Sequence, residues 1–185
     1  TMSVFSFSGP RLTTRRLTLA AMLCGLKVIL GKLSIGDPAL LKVGLGFIAT
    51  ALIGYCLGPW IGGGVMIVND IISNTILNTG NMFFPGFTLS AFISGVLAGI
   101  FLYQQPINWR RIFCYEFVQI LISNVFLTTL WIYIMSLSAG SGSRTFTALL
   151  ILRLPKEIIS WPIESLVVLV VLRAFAKTNV LRRLG

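Results

Sequence analysis

Six apolar segments, each close to the length that crosses a bilayer as a helix, take up most of this chain. They run roughly over residues 17–33, 43–57, 60–77, 86–103, 112–136 and 148–175. A helical span needs about 20 mostly apolar residues. The breaks between segments are turn-formers: Gly36-Asp37-Pro38, Gly58-Pro59, Asn78-Thr79-Gly80-Asn81, Gln104-Gln105-Pro106 and Ser138-Ala139-Gly140-Ser141-Gly142-Ser143. No soluble domain fits between them. The 185 residues are 56% apolar and 11% charged, where a soluble domain carries about 25% charged residues. The expectation is an all-α membrane protein with six transmembrane helices in one bundle. Residues 1–185 form one integral membrane domain, with 1–16 and 176–185 as flanking segments.

Charge sets the orientation. Arg11, Arg15, Arg16, Arg110, Arg111, Lys177, Arg182 and Arg183 fall on the side shared by the two termini; Lys32, Lys42, Arg144 and Arg153 fall on the other. The basic excess predicts that both termini are cytoplasmic. The net charge of +10 is then mostly topology, and no basic stripe with interleaved aromatics points to nucleic acid. Cys24, Cys56 and Cys114 lie in apolar segments without metal spacing and read as small buried residues. The chain has no His, hence no His-based metal site or catalytic base. Gly31-Lys32 is followed by Leu33 and is not a phosphate loop. No nucleophile motif stands out, so no enzymatic activity and no cofactor are expected.

Charge inside hydrocarbon costs several kcal/mol unless it faces a cavity or a partner, so each embedded polar residue needs a reason. Asp70, Asn74 and Asn78 are spaced i, i+4 and i+8 on the third segment, and Arg153, Glu157 and Trp161 repeat that spacing on the sixth, with Lys156 and Ser160 one column over. The expectation is that both stripes converge on one pocket in the outer half of the membrane. The alternative is a pair of internal salt bridges, Asp70 with Lys27 and Arg153 with Glu157. Lys27 lies too deep in the first segment for an ordinary end anchor. Phe83, Phe84 and Phe87 cluster near the outer openings. Small residues repeat at helical spacing in two places, Ala20/Cys24 with Ala21/Gly25, and Ala91/Gly95/Gly99 with Ser90/Ser94/Ala98. Such faces let helices approach closely.

Several stretches resemble a known family. Pro85-Gly86-Phe87-Thr88-Leu89-Ser90-Ala91, within Phe84–Gly99, is similar to the loop and fourth helix of the folate-specific substrate-binding subunits (S components) of energy-coupling factor (ECF) vitamin transporters. Ala20–Leu30 resembles their first helix, Lys42–Ile48 the start of the second, and Gly58-Pro59-Trp60 through Asp70 the third. Thr128-Thr129-Leu130-Trp131 and Leu152–Glu157 resemble the ends of helices five and six. Lys27 stands where Arg is expected, and Ala49-Thr50 replace a more usual Pro nearby.

The resemblance implies the ECF S-component fold and a multi-pass protein of the bacterial plasma membrane. It implies high-affinity binding of folate or a reduced folate outside, and delivery inside on docking to a coupling transmembrane subunit and two ATPases. ATP hydrolysis would reside in those partners. The expected ligand contacts are Lys27, Asp70, Asn74, Phe84, Arg153, Glu157 and Trp161. Paired pterin N–H donors suit a carboxylate, the flat ring suits an aromatic, and the glutamate tail suits a basic group, Lys27, Lys42, Arg144 or first of all Arg153. The expected partner-docking face is Ala20, Ala21, Cys24 and Gly25. Alternatives are an S component for a different small vitamin, or a small membrane enzyme or channel.

Overall fold

A computed structural model describes residues 9–35, 43–76, 84–140 and 145–180. Helix α1 (Thr14–Lys32) starts at Thr13, whose Oγ1 accepts the Arg16 N–H at 3.4 Å. It leads into a two-residue antiparallel ladder, β1 (Ser34–Ile35) on β2 (Val43–Gly44), with Ser34 opposite Gly44. Helix α2 (Gly46–Thr75) follows, then α3 (Pro85–Leu102), where Pro85 occupies the first turn and its missing N–H costs nothing. Next comes one continuous helical run made of α4 (Trp109–Gln119), a π-helical segment (Ile120–Leu127) and α5 (Thr128–Ser138). Helix α6 (Phe146–Lys177) closes the chain; its internal Pro155 and Pro162 are both exposed.

Segments 43–57 and 60–77 were expected as separate helices. They form one run whose direction reverses at Gly58. The Gly58 φ of 76° lies in the left-handed region that glycine adopts freely, and Pro59 then starts the second arm. The reversal is visible in the contacts: Thr50 Oγ1 lies 4.0 Å from Met66 Sδ, whereas 16 residues of straight helix would span about 24 Å. The 112–136 segment is likewise part of a longer run, 109–138, with the π segment inside it.

Among the described residues, four runs are long and apolar enough to cross a membrane: Gly46–Thr75, Pro85–Leu102, Trp109–Ser138 and Phe146–Lys177. Helix α1, which carries Arg15, Arg16, Lys27 and Lys32, is not among them. Large apolar side chains such as Met22, Leu121, Phe126, Ile158 and Val170 stand exposed around the outside, where lipid tails cover them. The interior joins Ile53 and Leu57 of α2, Ala98 and Leu102 of α3, Ile112 and Tyr115 of α4, and Val168 and Leu172 of α6.

The small-residue face of α3 does what its spacing predicted. A side chain at Gly99 would run into the backbone of Gly58 and Pro59, and one at Gly54 into Ala98. Helix α3 therefore lies against both arms of α2 at backbone distance. Gly99→Val should cost about 1–3 kcal/mol or more through overpacking and visibly lower the melting temperature of the detergent-solubilised protein. Gly25→Val is the control, since nothing lies within 4 Å of a Cβ placed there.

Candidate binding site

The chain contains three glutamates, Glu116, Glu157 and Glu164, and all three line one cavity of about 360 Å³ among the helices. On α6, Glu157, Ser160 and Glu164 recur at i, i+3 and i+7, so one helical face carries them. Helix α4 and the π segment contribute Tyr115, Glu116, Gln119, Ile120 and Asn124. Helix α1 supplies Lys27 and Gly31, β2 supplies Gly44, α2 supplies Gly46, Phe47, Thr50 and Met66, α3 supplies Ser94, and α6 adds Lys156.

The polar groups are arranged to receive a guest. Lys27 Nζ donates to Thr50 Oγ1 at 2.7 Å and to the Gly46 carbonyl at 3.3 Å. An ammonium has three N–H bonds, so one remains. Glu157 Oε2 accepts from Asn124 Nδ2 at 3.3 Å, and Ser94 shares a hydrogen bond of 2.9 Å with Ser123. Glu116 Oε1, Gln119 Oε1 and Ser160 Oγ are buried with no hydrogen-bond partner among the described residues. Such atoms normally find one, because a buried polar group left alone costs about 1–3 kcal/mol. Three on one cavity wall form an acceptor-rich surface that suits a ligand rich in N–H donors.

Of the residues expected to bind a ligand, Lys27 and Glu157 line the cavity. Arg153 sits one turn before Glu157 on α6; it is half-buried, and its Nη1 is buried without a hydrogen-bond partner among the described residues. The other four are placed elsewhere. Asp70 Oδ2 accepts from Thr88 Oγ1 at 2.7 Å, joining α2 to α3, and Asn74 Nδ2 donates to the Asp70 carbonyl at 2.8 Å. Trp161 turns away from the cavity: its Nε1 donates to the Phe113 carbonyl at 3.0 Å and its ring meets Phe113 and Phe117 edge-on. The rotation follows from helix geometry, since a residue four positions after Glu157 is displaced by about 40° around α6. Phe84 packs on Phe87 and Trp131. Of the internal pairs, the Asp70 charge does act on Lys27, while the Lys27 hydrogen bonds go to the backbone and a hydroxyl of α2. Asn78, Phe83, Lys42 and Arg144 lie outside the described residues.

Sequence reasoning missed Glu116, Gln119, Asn124 and Glu164, whereas Lys156 and Ser160, read beside the α6 stripe, do line the cavity. The usable signal was the scarcity of acids, with all three glutamates inside apolar segments. The expected docking face also divides. Ala21 and Gly25 are exposed, whereas Ala20 is buried, and Cys24 is half-buried with its carbonyl accepting from Asn69 Nδ2 at 3.2 Å. Helix α1 thus packs on α2 through one half of that stripe and leaves the other half outward.

The profile of the ECF transporter substrate-specific components matches residues 15–172. The chain belongs to that family. It is 32% identical over 136 residues, 74% of each chain, to the folate transporter FolT of Clostridium novyi. With the FolT of Leuconostoc mesenteroides it shares 31% over 156 residues, covering 84% of this chain and 83% of that protein. The fold is similar to that in a crystal structure of FolT bound with folic acid, with a TM-score of 0.71, 29% identity, and coverage of 84% of this chain and 90% of the other. This S component is a multi-pass plasma-membrane protein and a transport subunit rather than an enzyme.

The motif Pro85–Ala91 now has a structural account. Trp131 Nε1 donates to Ser90 Oγ at 2.8 Å, Ser90 Oγ donates to the Gly86 carbonyl at 3.2 Å, and a Cβ at Gly86 would stand 2.5 Å from the Trp131 ring. The motif fastens the start of α3 to α5. Trp131→Phe removes one donor and should destabilise the S component by about 1 kcal/mol, read as a modest drop in melting temperature of the unliganded protein.

Proposed function

We propose that this S component binds folate in the glutamate-lined cavity and hands it to the cell interior after docking on an energising module. The single observation that carries the reading is the placement of every glutamate of an acid-poor chain on one cavity wall. The FolT relatives name the ligand, and folate chemistry fits the wall. The pterin head offers adjacent N–H and amino donors, which a carboxylate accepts in pairs. Its tail is a dicarboxylate. The cavity is graded to match. Lys27, Gly31 and Gly44 belong to the end near the β ladder, and Glu164 lies seven residues, about 10 Å, further along α6 than Glu157. In this reading the head lies inward against Glu116, Ser160 and Glu164, and the tail points to Lys27, Lys156 and Arg153.

Six crossings give the simplest topology: α1, the two arms of α2, α3, the 109–138 run and α6. The basic excess places both termini in the cytoplasm, so the ladder end of the cavity faces outside. No cofactor is required. The coupling transmembrane subunit and two ATPases would supply the energy, and the outward half of the α1 stripe would meet the coupling subunit.

Calorimetry of the purified protein with folate, and mass spectrometry of co-purified small molecules, test the ligand; a different vitamin in the purified protein would replace folate in this reading. Glu116→Gln, Glu157→Gln or Glu164→Gln should cost about 2–5 kcal/mol, tens- to thousands-fold in affinity, for at least one of the three. Trp161→Phe and Asn74→Ala should stay within a few-fold of wild type. Wild-type affinity in all three glutamate variants would remove the head from this wall.

The tail and the docking face have separate tests. Arg153→Ala should weaken folate far more than pteroate, which lacks the glutamate; equal losses would move the tail to another basic group. Ala21→Trp should block assembly with the coupling subunit and abolish uptake while folate binding by the isolated subunit persists. Normal assembly of that variant would place the docking face elsewhere. Cys24→Trp is the poorer probe, because Cys24 packs against Asn69.

A further inference from the structure

The π segment Ile120–Leu127 crosses the cavity wall. Its turns are held by i→i+5 bonds: the Thr128 N–H reaches the Ser123 carbonyl, and Thr128 Oγ1 donates to the same oxygen at 2.7 Å. Ser123 Oγ is tied across to Ser94 of α3 at 2.9 Å, both residues being buried. A widened turn is energetically poor in a helix and is found mostly at functional sites.

Its effect here is geometric. Gln119 and Asn124 both line the cavity, yet residues five apart on a regular α-helix face about 140° apart. Bonds from i to i+5 add nearly one residue to the turn and carry the fifth residue back toward the first. Without the π register, Asn124 would stand about 140° from Gln119, at the edge of the face that Glu116 and Ile120 share. With it, Asn124 Nδ2 donates to Glu157 Oε2 at 3.3 Å. An ionised carboxylate only accepts, so the amide nitrogen must be the atom that faces it. Among the described residues, one N–H of Asn124 and its carbonyl oxygen are left for another group. Asn124 sets a donor directly beside the Glu157 carboxyl.

We infer that Asn124 is a ligand-contacting residue that reads the heterocyclic head, and that the π segment, locked through Ser123 to Ser94, is the positioning device that brings it there. The inference rests on the folate reading of the cavity. An aromatic heterocycle such as a pterin carries ring-nitrogen and oxo acceptors next to its N–H donors. Glu157 and Asn124, joined to each other, meet a donor and an acceptor side by side. A wall of carboxylates alone would bind any cationic or donor-rich guest without that distinction.

The test compares three ligands by calorimetry or competition on the purified protein: folate, pteroate (head without glutamate) and p-aminobenzoylglutamate (tail without pterin). Asn124→Leu should lower the affinities for folate and pteroate by the same factor, about 10–100-fold, and leave p-aminobenzoylglutamate unchanged. The double variant Ser94→Ala/Ser123→Ala should reproduce that selective pattern at about 3–10-fold. The melting temperature of each unliganded variant shows whether it is folded, and Asn124→Ser replaces Asn124→Leu should the latter not fold. Wild-type binding of folate and pteroate by the folded Asn124 variant, or equal losses for all three ligands, overturns the inference. Failure of the wild-type protein to bind folate overturns the underlying reading instead.

Discussion

The contact of α3 with both arms of α2 is the constraint on which the rest of this structure depends. Helix α2 can fold back because Gly58 adopts a backbone conformation closed to other residues and Pro59 restarts the helix. The two arms stay together because Gly54 and Gly99 let α3 come to backbone distance. In hydrocarbon, apolar side chains gain little by leaving lipid for protein, so close packing of this kind and interhelical hydrogen bonds do the work. Thr50, Met66 and Ser94, which form one side of the cavity, are placed by that three-way contact. The Asp70–Thr88 bond reinforces it at the other end of the second arm.

Opposite that packed wall stands a polar one. Three glutamates in an environment of low dielectric repel one another and lose hydration, and nothing in helix packing calls for them. Part of the cost is offset inside the protein by the Asn124 amide. The rest is exposed as buried acceptors without partners on Glu116, Gln119 and Ser160. A donor-rich ligand would complete such an arrangement. The same logic separates two kinds of polar residue among the described ones: Asp70, Asn74 and Trp161 find their partners within the protein, whereas Glu116, Gln119 and Ser160 each keep a buried atom without one.

Much of this was legible in the sequence. Hydropathy gave the helical membrane class, the small-residue spacing on α3 gave its packing face, and Lys27 and Glu157 stood out as embedded charges that reach the cavity. The misplacements have definite physical origins. Asp70 shares a helical stripe with Asn74, but a stripe fixes which residues share a face and leaves open what that face meets; here it meets Thr88. Trp161 follows Glu157 by four residues, and the drift of that spacing is enough to turn a ring from the cavity to the far side of α4. Asn124 was harder to read for another reason: a regular 3.6-residue period sets it about 140° from Gln119, at the edge of the face, and no local residue type announces a π turn.

Lys27 has a consequence for how the protein is made. Helix α1 leaves the ribosome before α2, yet the acceptors of its ammonium are 19 and 23 residues downstream, at Gly46 and Thr50. Until those residues arrive, α1 would carry an unsatisfied charge at a cost of about 2.5–3.5 kcal/mol at mid-membrane. It is also the long helix whose apolar character falls short of a stand-alone span. The ammonium of α1 therefore finds these acceptors only once the first arm of α2 lies beside it, which couples the two helices as a hairpin that shares its polar interior.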